Sequence, residues 1–208
     1  MRNITVGIIA KDKYMDNTNY QVISKNNLRH IHNKCNYISI INYDNSLIDT
    51  EILDICDAII FQGGSEIYPY HFQILDYCIK NNIPTLGICM GHQIIGLYSN
   101  NSQNEDDLIK IENHNDSKIT HKINTTPDSI LEKTLGTKTL VNSRHDFAVK
   151  KIKKPFKVTA VAEDGTIEAI EYIDENHFII GVQFHPEDLK SCENLYNYFI
   201  KEVLKRRK

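Results

Sequence analysis

A single cysteine, Cys89, stands between two glycines in the run Gly-Ile-Cys-Met-Gly of residues 87–91. The apolar residues 83–86 before it are typical of a buried strand, and residues 90–99 after it have helical periodicity. A sharp strand-to-helix turn exposes the residue at its apex, and glycines two positions away permit the close backbone approach that such a turn requires. The free N–H groups of the first helical turn also favour a thiolate. A buried cysteine that packs as a small apolar residue is the commoner reading of such a position, so the nucleophile hypothesis for Cys89 depends on its partners.

A histidine and a carboxylate, His185 and Glu187, lie two residues apart where an apolar strand ends. Pro186 between them favours an extended His185, and residues i and i+2 of an extended chain project to the same side. Glu187 could then orient the ring of His185, as a thiol nucleophile requires of its base. An isolated His-x-Glu is more often a surface ion pair, but the combination with the Cys89 turn favours catalysis.

Two adjacent glycines, Gly63 and Gly64, directly follow the apolar residues 58–61. Most such pairs are turns, yet acyl transfer requires fixed N–H donors where an oxyanion develops. The N–H groups of Gly64 and Met90 are the predicted donors.

The elements that must position these residues alternate between strands and helices in the first half of the chain. The predicted strands are 4–10, 37–41, 58–61 and 83–86. The predicted helices are one with an apolar stripe at Tyr20, Ile23, Leu28 and Ile31, a short one over 47–56 capped by Asp44 or Ser46, and one over 70–81. This alternation predicts an α/β three-layer sandwich with a mostly parallel central sheet.

The second half begins with a polar segment at 100–107, which we expect to be a mobile loop near one end of the sheet. Predicted strands follow at 118–123, 139–142, 156–162, 167–173 and 178–184, with a hairpin turn at 163–165 and a closing amphipathic helix over 189–204. No linker divides the chain, so we expect residues 1–208 to form one domain.

Composition excludes several classes of protein. The 208 residues are 41% hydrophobic and 25% charged, and the net charge of −3 implies no nucleic-acid partner and no membrane partner. No apolar run is long enough to span a bilayer. Five cysteines without a Cys-x-x-Cys pair suit reduced thiols, so we expect a cytoplasmic protein.

Three motifs together resemble the signatures of the class I glutamine amidotransferase-like superfamily: Gly-Ile-Cys-Met-Gly-His-Gln at 87–93, Gly63-Gly64, and Gly-Val-Gln-Phe-His-Pro-Glu at 181–187. Residues 141–149 and 158–171 are similar to its γ-glutamyl hydrolase (peptidase C26) branch, which includes γ-glutamyl-GABA hydrolases. The resemblance implies a triad of Cys89, His185 and Glu187, a thioester intermediate, and an oxyanion hole formed by Gly64 and Met90. It also implies a glutamyl pocket lined by Gly63, Gln93, Asn142, Ser143, Arg144, His145 and Asp146.

The chain departs from this branch in two places. The insert between the glycine pair and Cys89 is short, and Arg144-His145-Asp146 stands where the branch commonly has His-His-Gln. Arg144 suits a phosphate or carboxylate group, although a solvent-facing arginine is at least as good an interpretation.

Other histidines carry weaker signals. We expect His114 and His121 to be surface histidines. A zinc site from His145, His185 and Glu187 has suitable ligand types but no supporting spacing, so no metal and no cofactor are predicted.

The predicted function is therefore hydrolysis by water of a small γ-glutamyl conjugate, which releases glutamate and an amine or phosphoramidate. The most specific hypothesis follows a resemblance to hydrolases of γ-glutamyl-CDP-amidate in capsule modification. The alternative is a glutaminase subunit that supplies ammonia to a partner synthase, and a third interpretation is a catalytically silent domain on the same scaffold.

Overall fold

A mixed sheet of nine strands is the centre of the fold in the computed structural model, which describes residues 4–174 and 176–207, with residues 117–119 described by their backbone alone. The strands of the chain are β1 (Thr5–Ile9), β2 (Lys11–Met15), β3 (Thr18–Val22), β4 (Asn36–Ile40), β5 (Ala58–Phe61), β6 (Thr85–Ile88), β7 (Leu108–Lys110), β8 (Asn115–Thr125), β9 (Lys138–Arg144), β10 (Phe147–Val149), β11 (Phe156–Ala162), β12 (Ile167–Tyr172) and β13 (Ile179–Val182). The helices are α1 (Pro69–Lys80), α2 (Met90–Ser99), α3 (Ile130–Leu135) and α4 (Glu193–Arg206).

The order of the large sheet is β4-β1-β5-β6-β13-β12-β11-β8-β9. Its first five strands pair in parallel, and the ladders from β13 to β9 are antiparallel. The inner parallel strands β1, β5, β6 and β13 are almost wholly buried because both faces of the sheet are covered there, whereas the edge strand β4 is mostly exposed. Ile8 of β1 faces a core formed with α3 and α4, whereas Ile9 faces a second core formed with α1 and α2. The predicted three-layer α/β sandwich is confirmed.

The prediction of a helix directly after β1 is wrong. Residues 11–22 instead form the β2–β3 hairpin, and a short 3-10 helix at Lys25–Leu28 follows. The two turn residues, Asp16 and Asn17, have φ of 50° and 59°. Positive φ at both central residues is the hallmark of a type I′ hairpin turn, which these residue types tolerate. That local turn preference outweighs the loose apolar stripe.

The short helix predicted over 47–56 is a 3-10 helix, Thr50–Ile55, and its cap differs from the prediction. Asp49 caps it by accepting a hydrogen bond from the Glu51 N–H at 3.0 Å. Asp44 accepts hydrogen bonds from Ser46 instead. Neither Asp44 nor Ser46 is therefore the cap.

Several other elements lie close to their predicted positions. Helix α1 matches the helix predicted over 70–81, and strand β11 matches 156–162. Gly165, at φ +89°, turns β11 into β12 as the hairpin signal predicted. Helix α3 and the small β7–β10 sheet are absent from the prediction. Of the helices in the described part of the chain, none is long and apolar enough to cross a membrane.

Candidate active site

The turn between β6 and α2 holds Cys89 in a strained conformation, with φ 51° and ψ −100°. Its flanking glycines are required by close contacts. A Cβ atom on Gly87 would lie 2.6 Å from the carbonyl oxygen of Gly91, and one on Gly91 would lie 2.5 Å from that of Phe61. Strain of this kind persists only where its surroundings enforce it, and it clusters at functional sites.

The sulfur of Cys89 has polar neighbours even though the residue is buried. The side-chain amide of Gln183 donates to Sγ at 3.7 Å, and the backbone N–H of Cys89 donates to the carbonyl of Val182 at 2.8 Å. A side-chain amide N–H is thus directed at the sulfur. Gln183 belongs to the motif of residues 181–187, but the sequence offered no role for it.

His185 and Glu187 form a buried pair in which Nδ1 of the ring lies 2.7 Å from Oε1 of the carboxylate. Burial by itself would lower the pKa of His185, but interactions with Cys89 and Glu187 outweigh burial and raise the pKa to about 9. The ring is therefore an imidazolium at neutral pH. Gly63 makes room for it, since a Cβ there would lie 2.7 Å from Cε1 of His185.

The backbone of His185 is held by Asn142 of β9. The Asn142 side chain donates to the His185 carbonyl and accepts from the His185 N–H, both at 2.8 Å. The side chain of Arg29 donates to the carbonyl of Glu187 at 2.8 Å. These contacts fix the pair from two distant parts of the chain.

Two cavities meet at Cys89. The first, of about 460 Å³, is lined by Gly64 and Met90, the two predicted oxyanion donors, and by Gln93. Its wall carries charges of both signs, with the acidic residues Glu105, Asp106 and Asp146 facing the basic residues Lys110 and Arg144.

The second cavity, of about 590 Å³, also borders Cys89 and is lined by His185, Gly63 and the β2–β3 hairpin. Lys11, Lys13 and Arg144 are basic residues of its lining, and Asp12 is the acidic one. Sequence reasoning missed this wall because it predicted a helix where the hairpin lies.

Some of the residues predicted to bind substrate line a cavity and others do not. Gln93, Arg144, His145 and Asp146 line the first cavity, and Gly63 lines the second. Asn142 and Ser143 line neither cavity. Asn142 holds His185, while the hydroxyl of Ser143 lies 2.8 Å from the carbonyl oxygen of His114, so both side chains bind the protein itself.

Arg144 forms an ion pair with Asp188, which also accepts a hydrogen bond from Asn26 at 2.6 Å. The Arg144 side chain is 36% exposed. Arg144 therefore pairs with a carboxylate of the protein itself and does not simply face solvent. It borders both cavities.

The expectation that His114 and His121 are surface histidines is wrong. The side chain of His114 is 5% exposed and that of His121 is 18% exposed, and both lie near the buried carboxylate of Glu168. Burial would raise the pKa of Glu168, but His121 and His145 lower it to about 2. The sequence signal for these buried histidines was Glu168 itself, because a carboxylate in a mostly buried strand such as β12 needs polar partners.

The zinc ligand set considered from the sequence does not assemble. Among the residues that the structure describes, the histidine and acidic side chains that could share one ion are His114, His145 and Glu168. His185 and Glu187 pair with each other instead.

Comparison with protein families and curated proteins gives consistent matches. Residues 70–187 match the model of the peptidase C26 family. The chain is 30% identical over 150 residues to the γ-glutamyl-CDP-amidate hydrolase of Campylobacter jejuni, covering 66% of each chain. It is 31% identical over 152 residues to the glutamine-hydrolysing GMP synthase subunit of Sulfurisphaera tokodaii, covering 66% of this chain and 70% of that one.

Solved structures share the fold. The glutaminase domain of Trypanosoma brucei CTPS superimposes with a TM-score of 0.70 at 15% identity, over 99% of this chain and 95% of that one. A glutamine amidotransferase from Thermotoga maritima superimposes with a TM-score of 0.64 at 14% identity, over 100% of this chain and 86% of that one.

Proposed function

Because the chain belongs to the peptidase C26 family, within the class I glutamine amidotransferase-like superfamily, we propose that it is a stand-alone, cysteine-dependent γ-glutamyl hydrolase. The observation that carries this proposal is the strained Cys89 turn, which borders the same cavity as Gly64 and Met90 and a second cavity with His185. Nucleophile, oxyanion donors and base thus converge on one point, as acyl transfer requires.

In the proposed reaction the Cys89 thiolate attacks the γ-carbonyl carbon of the substrate. The N–H groups of Gly64 and Met90 stabilise the oxyanion, and fixed donors of this kind are worth about 10²- to 10³-fold in rate each. The His185 imidazolium then protonates the departing nitrogen, which leaves a thioester on Cys89. Neutral His185 next accepts a proton from water, whose attack on the thioester releases glutamate and the thiolate. Glu187 orients the ring throughout.

The first cavity suits the glutamyl head of the substrate. This head carries an α-ammonium group and an α-carboxylate group. Asp146 and Glu105 are the acidic residues of the lining that could bind the ammonium group. Lys110 and Arg144 are the basic residues that could bind the carboxylate. Its volume lies in the range of small-molecule sites.

The second cavity then receives the leaving group. Lys11 and Lys13 favour an anionic group. We propose a nucleotide phosphoramidate, with γ-glutamyl-CDP-amidate as the specific candidate and capsule modification as the setting. The similarity to the Campylobacter jejuni hydrolase supports this choice.

The second candidate function is an ammonia-producing glutaminase subunit that works with a synthase. The similarity to the glutamine-hydrolysing GMP synthase subunit of Sulfurisphaera tokodaii favours it. A subunit of this kind, purified alone, would be nearly inactive on every γ-glutamyl amide or would prefer glutamine.

The test is a panel of γ-glutamyl compounds with neutral and phosphate-bearing leaving groups, scored by glutamate released by the purified chain alone. We expect turnover, with the highest kcat/KM for a phosphate-bearing leaving group. The double variant Lys11→Ala, Lys13→Ala should raise KM for that substrate and leave KM for glutamine unchanged. Preference for glutamine alone would overturn the hydrolase assignment in favour of the glutaminase subunit.

The matched control is Cys89→Ala, which removes the proposed nucleophile. It should abolish turnover of every compound while its circular dichroism and melting temperature match those of the wild-type protein. A fully active Cys89→Ala protein would disprove the cysteine mechanism. Failure of Cys89 in the wild-type protein to react with a glutamine-like electrophile would favour a catalytically silent domain.

A further inference from the structure

A second polar cluster lies behind the wall of the first cavity, in the antiparallel half of the sheet. Glu168 of β12 is completely buried, and three histidine nitrogens surround its Oε1 atom. Nε2 of His121 lies at 3.0 Å, Nε2 of His145 at 3.7 Å and Nδ1 of His114 at 3.8 Å. An ionised carboxylate this deep in a protein must be neutralised by protons or by a metal ion.

The two ring nitrogens of His114 have different partners. Nε2 lies 2.9 Å from Oδ2 of Asp164, on the side of the ring away from the cluster. Nδ1 lies 3.0 Å from the hydroxyl oxygen of Ser143 and 3.8 Å from Oε1 of Glu168.

His145 has the same arrangement. Its Nδ1 lies 3.1 Å from the carbonyl oxygen of Phe147, which can only accept, so Nδ1 carries the proton. Its other nitrogen, Nε2, is buried without a hydrogen-bond partner and faces Glu168. One nitrogen of each ring thus lies within 4 Å of the buried carboxylate of Glu168.

This pattern is that of metal ligands. A histidine that binds a metal usually donates its other N–H to a carboxylate or a backbone carbonyl, which fixes the tautomer. Asp164 and the Phe147 carbonyl serve His114 and His145 in that way.

The distances agree with the same conclusion. Separations of 3.7 and 3.8 Å are too long for hydrogen bonds. Two donors about 2.1 Å from one ion at a tetrahedral angle lie about 3.4 Å apart. The three ligand atoms lie within 4.8 Å of one another, so the side chains would move by about an ångström to close around the ion.

We propose that His114 Nδ1, His145 Nε2 and the Glu168 carboxylate bind a divalent transition-metal ion of the zinc type. The fourth position falls to water, as in other sites with two histidines and one glutamate. Nε2 of His121 lies 3.0 Å from Oε1 of Glu168 and would support the carboxylate from outside the ligand set. The hydroxyl of Ser143 donates to the carbonyl of His114 at 2.8 Å, and its oxygen lies 3.0 Å from Nδ1 of the same residue, so the ion would take the place of Ser143 as the partner of that nitrogen.

The ion would have a structural role. It would tie β12 to the residue that precedes β8, His114, and to the residue that follows β9, His145, which lines the first cavity. Because it lies apart from Cys89 and His185, the proposal does not depend on the hydrolase assignment.

The test measures metal binding in the Cys89→Ala protein, since the thiolate of Cys89 could bind zinc by itself. Dialysis against zinc should leave one ion per chain, and Co²⁺ should give d–d absorption without a thiolate charge-transfer band. Glu168→Gln in the same background should weaken zinc binding at least 100-fold. His177→Ala removes a histidine that contacts Asp174 outside the cluster and should change nothing.

A second measurement guards against a misfolded variant. Zinc should raise the melting temperature of the Cys89→Ala protein and leave that of Cys89→Ala, His114→Asn unchanged, with both folded by circular dichroism before zinc is added. Absence of zinc and cobalt binding to the Cys89→Ala protein, or full binding by the Glu168→Gln variant, would overturn the site and leave protons as the groups that neutralise Glu168.

Discussion

At the scale of single residues, the structure separates two carboxylates with different tasks. Glu187 lies 2.7 Å from Nδ1 of His185 at the edge of a cavity, and Glu168 lies among three histidines with no exposed surface. Both interact with imidazole rings, but only the first ring also interacts with a sulfur atom. The chemistry at Cys89 therefore depends on how Glu187 sets the protonation of His185.

We predict that Glu187→Gln lowers the pKa of His185 from its value of about 9, because one of the interactions that raise it is removed. NMR titration of the ring protons measures this shift directly. The same shift in the His185 pKa makes the free energy of unfolding depend on pH. Because the pKa is higher in the folded protein than the value of about 6.5 in the unfolded chain, the stabilisation is fully present below pH 6.5 and is lost as pH rises through about 9.

The advantage of the wild-type protein over Glu187→Gln in free energy of unfolding should therefore shrink between pH 6.5 and pH 9. An unchanged His185 midpoint in the variant would refute this role of Glu187.

At the scale of elements, the β6–α2 turn is the most constrained part of the site. The strand and the helix approach so closely at Gly87 and Gly91 that neither position has room for a Cβ atom. The turn presents Cys89 at the N-terminus of α2, where unpaired N–H groups lie.

Gly87→Ala should destabilise the protein by about 1–3 kcal/mol, as expected for overpacking against backbone that cannot move aside. Denaturant unfolding measures this loss. Lys201→Ala on the exposed face of α4 is the control and should stay within about 0.5 kcal/mol of wild type. Equal stability of the two variants would show that the elbow tolerates a Cβ atom at Gly87.

At the scale of the whole molecule, the two halves of the sheet meet at the active site. The parallel half supplies Cys89 and His185, whereas Asn142, which holds His185, comes from β9 at the far edge of the antiparallel half. The antiparallel half must therefore curl back towards the end of β13. The position of His185, the proposed base, thus depends on how the antiparallel strands bring β9 to it.

We predict that Asn142→Ala lowers kcat about 10- to 100-fold, because His185 shifts when both of its backbone hydrogen bonds are lost. KM should change little, since Asn142 lines neither cavity. The matched control is Asn100→Ala, which also removes two side-chain hydrogen bonds to the backbone, in this case both to carbonyls and far from His185 in sequence. A similar loss of stability in both variants, with turnover reduced only in Asn142→Ala, would support the positioning role, and a change confined to KM would contradict it.

Features that depend on neighbouring residues could be predicted from the sequence. The glycines on either side of Cys89 lie within five residues, so their spacing alone predicts the sharp turn. Pro186 lies between His185 and Glu187, so it alone predicts that these two side chains pair. Buried parallel strands such as β5 are visible as unbroken apolar runs. The hairpin at Asp16 and Asn17 also had a local signal, which a loose apolar stripe obscured.

Features that depend on distant residues became visible only in the tertiary structure. Asn142 lies 43 residues from His185, and Glu168 lies 54 residues from His114, so no spacing rule connects them. His114 is polar and its neighbours in sequence are polar, which predicts a surface position, yet β8 and β12 carry it to a buried carboxylate. The sequence by itself determined the sharp turn at Cys89 and the layers around it, because local sterics and periodicity dictate both. The tertiary structure decided which side chains face the cavities and which face one another, because the pairing and curvature of the strands set those contacts.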